Sequence, residues 1–69
     1  MAYYEETKLA FLRKAKGMSQ TELAQLSGVN IHMIRKYEQG ARDINKAEAL
    51  TVYKLSEALG VTVPELLEI

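Results

Sequence analysis

Arg35, Lys36, Arg42 and Lys46 crowd into one stretch near the middle of the chain. Ammonium and guanidinium groups gathered on one surface neutralise phosphates, and an arginine adds a planar fork whose paired N–H groups match the O6 and N7 acceptors of guanine. His32, the one histidine, adds a ring able to hydrogen-bond a guanine or a phosphate. With no cysteine beside it, the imidazole lacks the companions that a zinc or other transition-metal site needs, so no metal or other cofactor is expected. Enzymatic chemistry is not expected either. Catalysis requires acids, bases or a nucleophile converging in a pocket, and a single histidine with carboxylates scattered over short segments supplies no such set. No small-molecule ligand suggests itself. The chemistry open to these residues is the binding of a polyanion.

The formal net charge is zero, yet the charges are segregated along the chain. Between Lys8 and Lys46, eight Lys or Arg stand against three acids, Glu22, Glu38 and Asp43, a net of +5. Acids dominate both flanks, so one face can attract a polyanion while the whole stays neutral. The length of 69 residues suits one domain, 1–69, whose core only narrowly offsets the entropy lost on folding. Without cysteine there are no disulfide or thiolate staples; the chain suits a reducing cytoplasm, and oligomerisation remains as a source of support. No run reaches the ~18 apolar residues of a membrane span. The start, MAYYEETK, lacks the layout of a signal peptide, so the mature chain is expected to begin near Met1.

Period and punctuation divide the sequence into five helices and no strand, an all-α fold. The first runs from about Tyr4 to Lys16, with either Leu9, Leu12 and Lys16 or Lys8, Phe11 and Ala15 on one stripe, and Gly17 ends it. The second opens on a capping box, Ser19 with Glu22, and runs to about Ser27 before Gly28. Asn30 caps the third, Ile31 to Gln39, and Gly40 stops it. After a loop from Ala41 to Ile44, the fourth is expected to open at Asn45, with Glu48 as box partner, and to carry Ala49, Val52, Leu55, Ser56 and Leu59 on one stripe. Thr62 and Glu65 box the fifth, with Pro64 in its first turn.

Within this plan, Gln20 to Gln39 brings two short helices together across a tight turn. Ala24 is small where the helices cross, and Gly28 allows a backbone conformation closed to other residues. Leu23, Val29, Ile34 and Tyr37 point into the angle between the helices and fix it, which leaves the other side of the third helix free. Each feature taken singly would also serve a plain αα-hairpin. Joined to LRKAKGMSQTELAQLSGV, to the YEQG closing the third helix and to the ending LSEALGVTVPELL, they resemble the Cro and phage-repressor-like helix-turn-helix family, the XRE family, over about Leu9 to Leu67.

That resemblance implies a five-helix, lambda-repressor-like domain acting as a homodimeric, sequence-specific transcriptional regulator, with a repressor as the expected type. Its recognition helix, beginning near Asn30, would lie in the major groove of double-stranded DNA. The family's phosphate clamp falls on Gln20, with help from Asn30 and the exposed helix N-termini, whose N–H groups and positive dipole end suit a phosphate. Lys36, Arg42 and Lys46 would neutralise flanking phosphates, while Ile31, His32, Arg35 and Lys36 face the bases. Family members usually carry small polar residues, Gln or Arg where this chain has Ile31 and Met33, which can offer a base edge only apolar contact, such as with a thymine methyl. Arg13 and Glu38 match an internal ion pair of structural role. Leu66, Leu67 and Ile69, surplus on a short last helix, point to dimerisation. The alternative is a protein-interaction module or antitoxin-like partner on the same scaffold, with Ile31, Met33 or the tail against another protein.

Overall fold

The computed structural model describes residues 6–69. Lys8–Ala15 (α1) begins where Thr7, still extended at ψ 156°, accepts the Ala10 N–H on its Oγ1 at 3.3 Å. The first helix is therefore shorter than its period suggested, because a residue capping from the extended conformation cannot lie inside a helix; Tyr4 and Glu5 fall outside the described residues. Leu9 and Ala10 are buried and Leu12 packs on the core, while Phe11 is 61 % exposed, which decides between the two stripes.

Gln20–Ser27 (α2) opens on the expected box: Ser19 Oγ accepts the Glu22 N–H at 3.0 Å and Glu22 Oε1 accepts the Ser19 N–H at 2.8 Å. Gly28, at φ +75°, ends it in the left-handed region and donates its N–H to Ala24. The turn is sealed by Ser27, whose buried Oγ accepts the Val29 N–H at 3.1 Å. Asn30 then caps Ile31–Gln39 (α3), its Oδ1 taking the His32 N–H at 2.7 Å.

The fourth helix starts later than the sequence suggested. Ile44–Lys46 forms a 3-10 turn capped by Asp43, whose Oδ1 accepts the Asn45 N–H at 2.9 Å. Ala47 and Glu48 are extended, and only then does Ala49–Leu59 (α4) begin, with no side-chain cap bond from Glu48. Two demands override the Asn45–Glu48 box. Ile44 must be buried, and the side chain of Asn45 serves Glu68, accepting its N–H at 2.8 Å and donating to its carbonyl at 2.9 Å. On α4, Val52, Leu55, Ser56 and Leu59 are buried as expected, but Ala49 is exposed because it stands at the helix start.

Val63–Leu66 (α5) carries its Thr62–Glu65 box with Pro64 in the first turn. The backbone N–H of Thr62, and then its hydroxyl, donate to the Glu65 carboxylate and hold its pKa below the ordinary carboxylate value. Leu66 is wholly buried in this chain's own core and Leu67 packs against it, so of the three apolar residues expected to be surplus here only Ile69, 81 % exposed, stays free. Lys8 binds this end back: its N–H donates to the Glu68 carboxylate and its Nζ to the Ile69 carbonyl at 3.3 Å.

Each helix gives the core at least one fully buried side chain: Leu9, Leu23, Ile34, Leu55 and Leu59, Leu66. At roughly 2 kcal/mol for each such burial, these contacts rather than local propensity hold helices this short. The second helix packs on α3 and α4, the first on α3 and α5, and α4 on α5. Among the described residues there are five α-helices and no strand, and no helix is long and apolar enough to cross a membrane.

Candidate nucleic-acid interface

The angle between α2 and α3 is set from inside. Leu23 and Ile34 are fully buried, Val29 and Tyr37 nearly so, and half-buried Ala24 packs on the same cluster. Burying Ile34 and Tyr37 turns the other side of α3 outward: His32, Arg35 and Lys36 are exposed, as is Asn30 at the helix start. Ile31 is half-buried, and Met33, also half-buried, packs against the core and takes an N–H from Arg42 on its sulfur at 3.8 Å. Part of the Met33 side chain is thereby taken up inside the fold.

Beyond α3 the backbone reverses at Gly40, φ +77°, and the N–H groups of Ala41 and Arg42 both return to the Lys36 carbonyl. This reversal brings Arg42 and Lys46 together around a notch of about 280 Å³ shared with Tyr37, Asp43 and Ala47. Two cations separated in sequence thus share a single recess beside α3.

Behind the exposed face lies the ion pair. The Arg13 Nε donates to Glu38 Oε2 at 2.6 Å, its Nη2 to Oε1 at 3.0 Å and its Nη1 to the Met18 carbonyl at 2.8 Å. Both side chains are mostly buried, 11 % and 6 % exposed. The hydrogen bond to Glu38 raises the arginine's pKa above its ordinary value and outweighs the cost of desolvation. The predicted pair is therefore present. Gln20 belongs to the same cluster, which the sequence reading missed: its Nε2 donates to Glu38 Oε1 at 3.0 Å, and its Oε1 accepts from Arg35 Nε at 3.3 Å. No local spacing announces bonds between three helices. The only hint was chemical, an amide placed where its donor and acceptor ends could both be used.

The eight predicted contact residues thus fall into two gatherings. Gln20, Asn30, Ile31, His32, Arg35 and Lys36 lie at the start of α2 and along α3, and Arg42 and Lys46 lie in the notch that follows. Lys14, another cation of the basic middle, is paired with Glu6. Among the described residues, no three His, Cys, Asp or Glu side chains gather to hold a metal ion.

A polar helix face held at a fixed angle by a two-helix hinge is the geometry of a DNA-binding helix-turn-helix domain. A family model for the helix-turn-helix matches residues 9–66. An uncharacterised HTH-type transcriptional regulator, y4dJ, of Sinorhizobium fredii is 35 % identical over 60 residues, 87 % of this chain and 74 % of that protein. Among solved structures, the restriction-modification controller protein C.AhdI of Aeromonas hydrophila superposes with a TM-score of 0.76 at 37 % identity, covering 86 % of this chain and 85 % of its own. The chain belongs to the XRE-type helix-turn-helix family, a family of DNA-binding transcriptional regulators and not of enzymes.

Proposed function

We propose that residues 1–69 act as one domain that regulates transcription in the cytoplasm by docking α3 into the major groove of its operator, as a repressor. The observation that carries this reading is the division of α3: Ile34 and Tyr37 buried on one side, His32, Arg35 and Lys36 exposed on the other. Arg35 meets guanine through its fork, Ile31 a thymine methyl and His32 a base edge or phosphate. Gln20 and Asn30, beside the N-termini of α2 and α3, meet phosphates together with Lys36, Arg42 and Lys46. The likeness to a restriction-modification controller supports a regulatory role.

The active species is a homodimer. Apolar surface to form it is available on α4, where Leu50 and Tyr53, one turn apart, are 61 % and 54 % exposed, and at Ile69. Two-fold symmetry then requires half-sites about one helical turn apart, ~34 Å.

The test is fluorescence anisotropy with labelled random-sequence duplex DNA over a salt series, comparing the wild type with the Gln20→Ala, Lys36→Ala double variant. Affinity is expected to fall steeply with salt, and the variant to bind more weakly with a log–log slope smaller by about one. Folded protein that fails to bind at low salt would transfer the reading to a protein-interaction module.

A further inference from the structure

We propose that Glu38, acting through Gln20, presets the guanidinium of Arg35 for base reading, so that Gln20 is a specificity-determining positioning residue as well as a phosphate contact. The inference rests on Arg35 reading a base, and it starts from a constraint of donor and acceptor chemistry. An ionised carboxylate only accepts hydrogen bonds and a guanidinium only donates them. Gln20 stands between one of each, at 3.0 Å from Glu38 Oε1 and 3.3 Å from Arg35 Nε. Its amide can satisfy both in a single orientation, with the NH2 turned to Glu38 and the oxygen to Arg35. The reversed amide would set oxygen against carboxylate and N–H against N–H.

Glu38 is itself immobile. Its two oxygens are held by the Arg13 fork and its side chain is 6 % exposed. The rigidity of that pair therefore passes through one amide to an exposed arginine on the reading face. With Nε engaged by Gln20, the donors left on Arg35 are those of the two terminal nitrogens, the end-on fork that spans O6 and N7 of guanine. A long, exposed side chain tethered at Nε loses less rotamer freedom when it meets its base, so affinity gained this way is gained for guanine and not for DNA at large. The second N–H of the Gln20 amide remains for a phosphate.

The experiment is selection from a randomised duplex library with wild type, Arg35→Ala and Gln20→Met, followed by competition binding of single-base variants of the selected operator. Gln20 is half-buried and outside the apolar core, so Gln20→Met is expected to fold. Arg35→Ala should erase one guanine position, and Gln20→Met should cut the guanine preference at that same position about tenfold while leaving the other positions unchanged. Glu38→Gln, assayed below its melting temperature, should act at that position too, because a second amide no longer dictates which way Gln20 faces. If Gln20→Met lowers affinity equally for every sequence and keeps the guanine preference that Arg35→Ala loses, the relay is overturned while the docking reading stands. If Arg35→Ala leaves every base preference intact, Arg35 reads no base and both fall.

Discussion

Three donor nitrogens fix Arg13, two on the Glu38 carboxylate and one on the Met18 carbonyl, joining α1, α3 and the approach to α2 at one point. Removing the arginine strands a carboxylate that is 6 % exposed with only the Gln20 amide for company. Arg13→Ala should therefore cost about 3 kcal/mol and lower Tm by more than about 10 °C in a circular-dichroism melt. A melt superimposable on the wild type would remove the pair from the stability account. Lysine is expected to rescue little, since one ammonium cannot reproduce a fork that reaches two carboxylate oxygens and a carbonyl. At this scale the sequence was only partly legible. The exposed His32, Arg35 and Lys36 followed from helical period, and the Arg13–Glu38 pair from family resemblance. The bonds of Gln20 did not, because they depend on how the start of α2 is set against the outer side of α3, a tertiary fact with no local pattern.

Helix boundaries separate what short-range chemistry decides from what the fold decides. The boxes at Ser19–Glu22 and Thr62–Glu65 form as their spacing predicts. Asn45 and Glu48 have a matching spacing and form none, because the Asn45 amide closes a two-bond clasp on the backbone of Glu68 while Ile44 turns inward. The two explanations of Asn45 differ in a measurable way. Asn45→Ala should destabilise the fold by about 1 kcal/mol in urea unfolding, through loss of the clasp, whereas Glu48→Ala, which makes no cap bond, should leave the midpoint nearly unchanged. Equal losses from both variants would restore the capping box. The start of α1 was misjudged for a related reason: period continues through Thr7 on paper, but a threonine hydroxyl that accepts the Ala10 N–H ends the helix there.

Considered whole, the molecule carries Arg35, Lys36, Arg42 and Lys46 on and just after α3, while its large exposed apolar side chains are spread over several elements, Phe11 on α1, Leu26 on α2, Leu50 and Tyr53 on α4, and Ile69. An aspartate at Tyr53 would place a charge on the surface proposed for self-association without touching α3. Tyr53→Asp is expected to halve the mass seen by sedimentation equilibrium and to weaken operator binding far more than binding to a single half-site, since only the former uses both subunits. A wild-type mass of one chain at micromolar concentration would count against the dimer. The all-α class and the two-helix hinge were readable from the sequence, whereas the burial of Leu66 was not. Leu66 looks free on a four-residue helix until the packing of α5 on α1 and α4 shows that the monomer needs it. That same packing has a topological consequence. Because Lys8 holds Glu68 and Ile69 through its N–H and Nζ, the two ends of the described fold meet and the path of the chain is almost a closed ring. Such a ring is expected to tolerate a change in where it is cut: a circular permutant in which a linker joins residue 69 to the N-terminal segment, with new ends opened at the exposed turn around Gly17, should keep the circular-dichroism helix signal of the parent chain.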